Sequence, residues 1–145
     1  MRIVLDTNIL LMSIPSKSRF RPIFDSITRG HFDLVVSNEI LSEYIEVIEN
    51  KASPVVAANI ASLFTNLGNV IKVDVYYKWN LIEDDFDDNK FVDCAVASNA
   101  RFIVTEDRHF RILKRVNFPK VDTIGIEDFL NFVNELRSGP GGIHR

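Results

Sequence analysis

Cysteine, glycine, positive charge and long apolar runs are all scarce in this chain of 145 residues. The single Cys94 excludes an intramolecular disulfide, so a reducing compartment, the cytoplasm, is expected. It lies between Val92, Ala95 and Val96 and reads as a small buried residue, not a reactive thiol. Half of the six glycines fall in the C-terminal stretch "SGPGGIHR". None builds a glycine-rich phosphate loop, which argues against a nucleotide-binding α/β protein. The net charge is −3, so the chain is not a basic nucleic-acid binder overall. Contact with a polyanion would need a local basic patch or a metal ion. No apolar run approaches the roughly 20 residues that span a bilayer. The N-terminal apolar run is interrupted by Asp6 and Asn8, so no signal peptide and no membrane are expected.

What is present is an alternation of apolar strands and amphipathic helices. Strands are expected at 2–6 ("RIVLD"), 32–37 ("FDLVVS"), 70–75 ("VIKVDV"), 101–105 ("RFIVT") and, more weakly, 121–126 ("VDTIGI"). The first is continuously apolar, as a strand covered on both faces should be. Helical patterns occupy 21–30, 38–51, 53–68, 88–100 and 126–137. The third opens with Ser53 and Pro54 and closes on Gly68, a cap, first-turn and stop sequence. Such an order predicts one α/β domain over 1–137, a parallel sheet of four to five strands covered by helices, and a flexible tail over 138–145. In such sheets, sites form beyond the carboxyl ends of the strands.

Four acids occupy places where structure alone does not require a charge. Asp6 ends the first buried strand. Glu43 borders the apolar arc of helix 38–51, between Ile40, Tyr44 and Val47. Asp88 opens helix 88–100, and Asp107 follows the strand "FIVT". Each has an ordinary explanation taken singly: a helix cap, a solvated helix edge, a turn. Together at one rim they would repel each other and raise each other's pKa values unless a cation joined them. Mg²⁺ or Mn²⁺ prefers such oxygen ligands and can activate water at a phosphodiester. Asp93, further along the same helix as Asp88, reads equally as an additional ligand or as a surface acid.

The segments "IVLDTNILL", "SNEILSEYIEVI" and "DDNKFVDCAVASNARFIVTEDRHF", in this order, resemble the PIN (PilT N-terminus) domain, and in particular the PIN-type toxins of prokaryotic toxin–antitoxin pairs. The resemblance runs from residue 1 to about 130. It implies a three-layer α/β/α fold and a Mg²⁺- or Mn²⁺-dependent ribonuclease. By motif, Asp6, Glu43, Asp88 and Asp107 match the family's acids, with the third open among Asp87, Asp88 and Asp93. Asn8 and Thr105 match its supporting polar residues. Asp6 and Asp107 would hold the principal metal, Asp88 would complete the site, and Glu43 would ligate directly or through water. Arg19, Arg21, Lys90, Arg108 and His109 are candidates for RNA backbone contacts. The resemblance further implies a cognate antitoxin and a homodimer. An alternative is a catalytically idle module of the same fold that binds an antitoxin or RNA. Two other strand-end-Asp classes fit less well. A dehalogenase-like phosphotransferase wants a second Asp where Asn8 stands, and a receiver domain wants paired acids and a late Lys that are missing.

Overall fold

The computed structural model describes residues 1–138. Five parallel strands form one sheet in the order β3-β2-β1-β4-β5: β1 (Arg2–Leu5), β2 (Asp33–Val36), β3 (Val70–Lys72), β4 (Phe102–Val104) and β5 (Thr123–Ile124). Successive side chains of a strand point to opposite faces. Ile3, Val4 and Leu5 are all fully buried, so β1 is covered on both faces and the architecture is the three-layer α/β/α arrangement expected. α5 (Asn89–Ser98) lies against β1, β2 and β4 and touches α3 (Asn38–Lys51). α2 (Arg21–Thr28) packs between α1 (Thr7–Ser13) and α6 (Ile126–Ser138), and α4 (Pro54–Asn66) packs on α3. Ser37 and Ser53 cap α3 and α4 through the backbone N–H groups of Ile40 and Val56. Asn99, left-handed at φ 55°, closes α5. Among the described residues no helix is long and apolar enough to cross a membrane.

The structure departs from the sequence reading in three places. α1 follows directly on Asp6, whose carbonyl accepts from the N–H groups of Ile9 and Leu10. At seven residues it is too short for periodicity to separate it from a continuing strand. β3 stops at Lys72 and β5 has two residues. From Val73 to Asp85 the chain leaves the sheet and runs over the protein without regular structure. The stretch after Asp107, where a turn or a helix cap is expected, is an eight-residue 3₁₀ helix, Arg108–Arg115, with Asp107 as its cap. Of the tail expected over 138–145, Ser138 ends α6 and the rest lies outside the described residues.

The chain runs from β1 outward to β3 and then returns to β4 and β5 on the other side of β1. The reversal lies between β1 and β4. In an open α/β sheet a crevice forms at that point, beyond the strands' carboxyl ends. Asp6 follows β1 there, and Thr105 and Asp107 follow β4.

Candidate metal centre

Asp6 continues the pairing of β1 with β4 by donating its N–H to the Val104 carbonyl (3.0 Å). Asp6 is 8% exposed, and its Oδ2 accepts a hydrogen bond from Thr105 Oγ1 (2.8 Å). The same Thr105 hydroxyl accepts the N–H of Asp107 (3.0 Å). One hydroxyl therefore locks the two strand-end acids to each other across the switch point. Burial raises the Asp6 carboxyl above its ordinary range. The Thr105 bond opposes that rise, the charge of Asp107 adds to it, the Asn8 backbone opposes it, and Glu43 adds a last contribution. The contribution of Asn8 is thus its N–H, and its side chain is exposed.

Asp88 enters from the other side. It ends the short 3₁₀ turn Phe86–Asp88 and stands at the head of α5 without capping it. Its carboxyl is pushed up to about 6, first by burial and then by the charges of Asp107 and Asp85, while a hydrogen bond from His109 pulls it down. His109 sits between two of the acids, its Nδ1 3.4 Å from Asp88 Oδ2 and 3.3 Å from Asp107 Oδ1. Asp107 Oδ1 also accepts the His109 N–H (2.9 Å). Asp85, Asp88 and His109 each offer a ligand atom within 4.8 Å of the others. Asp85 is the residue the sequence reading passed over. The run "EDDFDD" looks like a solvated loop, yet Asp85 caps the 3₁₀ turn through the Asp87 N–H (3.1 Å), one turn before Asp88. That spacing was the available signal.

Glu43 stands beside this group. Tyr44, fully buried, donates to the Leu5 carbonyl (2.5 Å) and so sets α3 against the end of β1. Glu43 then receives the Thr7 hydroxyl at Oε2 and the Lys90 ammonium at Oε1 (2.6 Å). Lys90 also reaches Asp87 Oδ2 (2.7 Å), and its side chain is 5% exposed. Burial opposes the Lys90 charge, but the bonds to Asp87 and Glu43 outweigh it and hold the ammonium above its usual range. The same bond holds Asp87 below its own. Lys90 is therefore a buried counter-ion, its ammonium held between the partly buried Glu43 and the exposed Asp87. Asp87 faces Lys90.

Asp93 is neither a surface acid nor a member of the group. It is buried, and its Oδ1 accepts the Trp79 N–H (3.0 Å). One turn before it, Asn89 exchanges two bonds with the backbone of Ile82 (2.9 and 2.8 Å). This face of α5 clips down the segment that ends at Asp85. Trp79 in turn meets Tyr77 and Phe118 edge-on (4.6 and 5.8 Å). Arg19 pairs with Glu127, and Arg21 with Asp25 and the Ile14 carbonyl. No hydrogen bond or ion pair among the described residues joins either arginine to the acids. Arg108 is exposed beside Asp107.

This donor set suits a hard divalent cation. Two carboxylates, Asp6 and Asp88, are held above their ordinary range by burial and by neighbouring acids, Asp107 among them for both, and a third acid and an imidazole stand within ligand distance of Asp88. A family model for the PIN domain matches residues 2–109. The chain belongs to the PIN-domain family. All four acids singled out in the sequence fall inside the matched segment of this PIN domain. No curated protein matches it. Among solved structures it is similar to VapBC2 from Rickettsia felis bound to a DNA fragment from their promoter, at 18% identity and a TM-score of 0.59, over 86% of this chain and 98% of that one. DNA-bound VapBC from Salmonella typhimurium gives 16% and 0.58, over 87% and 98%. The sarcin-ricin loop cleaving toxin VapC20 of Mycobacterium tuberculosis gives 15% and 0.56, over 83% and 98%. These likenesses establish a shared fold.

Proposed function

We propose that this PIN domain is a Mg²⁺- or Mn²⁺-dependent endoribonuclease and the toxin of a toxin–antitoxin pair. The observation that carries the reading is the set of acids at the β1/β4 switch point, Asp6 and Asp107 tied through Thr105 with Asp88 facing them across His109. Asp6, Asp88 and Asp107 would hold the metal, with Asp85 and His109 within reach to complete the set. A bound divalent ion supplies a Lewis acid for the phosphodiester and a water of lowered pKa.

The chain's own residues do the rest. Thr105 fixes the orientation of the Asp6 carboxylate and the position of the Asp107 backbone. His109, between Asp88 and Asp107, can hold a proton at Nδ1 against either carboxylate. Glu43, its charge shared with Lys90, takes the outer position, where a carboxylate orients water. The VapBC likenesses support an antitoxin partner; a second copy of the chain and a cytoplasmic setting belong to the same proposal.

The test is cleavage of a panel of structured and single-stranded RNAs by the wild type and by Asp6→Asn, with Mg²⁺, with Mn²⁺ and with chelator. Metal-dependent cleavage lost in Asp6→Asn is the expected result. Equal behaviour of the two proteins would overturn it in favour of an idle binding module.

A further inference from the structure

Runs of 3₁₀ helix longer than three or four residues are uncommon, yet Arg108–Arg115 continues for eight. Its period of three sorts the sequence into rows. Phe110 and Leu113 are buried and anchor it to the core. Arg108, Arg111 and Lys114 form a second row, and all three are exposed. Side chains at i and i+3 eclipse in this helix, so the three cations line up about 6 Å apart. That spacing is close to the separation of neighbouring phosphates along a single strand.

The row faces one groove of about 330 Å³, whose wall also carries Thr105, Asp107 and Gly125. The groove thus begins at one strand-end acid, Asp107, and continues along the cations. Two further acids line it, Glu106 and Asp128. Glu106 is engaged, its Oε2 accepting the Ile126 N–H at the head of α6 (2.7 Å). None of Arg108, Arg111 and Lys114 is in an ion pair among the described residues. The charge is also local. Residues 108–120 carry five Lys or Arg and no Asp or Glu, whereas the chain as a whole has 17 against 20. Arg111 and Lys114 lie beyond the residues that the family model matches.

We propose that this row is the substrate track, a site for successive phosphates of an unpaired RNA strand leading into the acidic centre. The proposal rests on the ribonuclease reading for the nature of the strand, and it answers how an acidic protein grips a polyanion. An acidic protein segment is the competing occupant. The row favours RNA because its cations are evenly spaced, point into one groove and begin at Asp107.

The test measures binding of a fluorescent 12-nucleotide single-stranded RNA by anisotropy, in chelator, over a series of salt concentrations. Each lost phosphate contact lowers the slope of log K against log salt by about 0.7 for a single strand. Arg111→Gln/Lys114→Gln should therefore flatten the slope by roughly 1.4 and weaken binding at low salt. The control Lys51→Gln/Arg137→Gln, which changes two exposed cations elsewhere, should leave both unchanged. Circular dichroism shows whether each variant is folded. A folded row variant with the wild-type affinity and slope overturns the track and leaves the groove to a protein partner. Cleavage by wild type in a parallel metal-containing reaction separates the two readings. Row-dependent binding without cleavage sinks the nuclease and keeps the row only as an RNA-binding site; cleavage with row-independent binding keeps the nuclease and overturns the track.

Discussion

Asp88 shows what a largely buried carboxylate costs a fold. With its carboxyl held near 6 instead of 3.8, the charged form is disfavoured in the folded state by at most roughly 3 kcal/mol. The group's contribution is fully present below the unfolded pKa and is lost as pH rises through about 6. Metal-free protein should therefore lose stability between pH 4 and 6 relative to Asp88→Asn. At pH 7 the variant should melt higher than wild type, but its melting temperature should no longer rise with Mn²⁺. Thermal denaturation at several pH values, with chelator and with Mn²⁺, checks both parts. Lys90 is the opposite case. Its ammonium sits between Glu43 and Asp87, so Lys90→Met strands the half-buried Glu43 charge. A loss of about 2 kcal/mol is expected in urea denaturation, less than for a fully buried pair because Glu43 keeps some solvent. Most of that loss should return in Lys90→Met/Glu43→Gln. Asp6, Glu43 and Asp107 were legible in the sequence because each breaks a pattern that would otherwise be apolar or merely capped. The commitment of Lys90 was not, since a lysine one residue past Asn89 has no sequence mark of burial.

At the scale of elements, the centre depends on a segment with no regular structure. Asp85 ends a stretch that leaves the sheet at Val73, and α5 holds that stretch through Asn89 on Ile82 and Asp93 on Trp79. Asn89→Ala removes two buried bonds to the Ile82 backbone and leaves both backbone groups unpaired. A destabilisation of about 2 kcal/mol is expected, with faster amide exchange at Ile82. Metal affinity should fall as well, although the Asn89 side chain bonds to the Ile82 backbone and not to the acids. Metal titration by calorimetry decides the point, and an unchanged affinity would free Asp85 from its dependence on α5. The helices with full amphipathic periods, α2 to α6, were legible in the sequence. α1 and the 3₁₀ helix after Asp107 were not. Seven residues carry too few turns for a helical period to stand out, and a period of three is neither the 3.6 of an α-helix nor the 2 of a strand.

For the whole molecule, the apolar core and the acidic site occupy different places. The sheet core is apolar on both faces, while the acids gather on one rim. Removing metal should leave far-UV circular dichroism unchanged, and added Mn²⁺ should raise the melting temperature with concentration, as ligand linkage requires. Collapse of the dichroism in chelator would make the ion part of the fold instead. The sequence by itself determined the parallel α/β architecture, because buried strands and amphipathic helices alternate along it. It also determined the strand-end acids, because a carboxylate at the close of an apolar strand has few structural reasons to be there. Only the tertiary structure decided which acids meet. The order β3-β2-β1-β4-β5 brings residues 6 and 107 side by side, and a strand order is a property of long-range packing that local pattern does not encode. It decided as well that Asp93 serves the loop, that Asp85 joins Asp88 and His109, and that Lys90 turns inward. Each of those outcomes depends on which backbone or charge lies opposite, and that neighbour is supplied by a distant part of the chain.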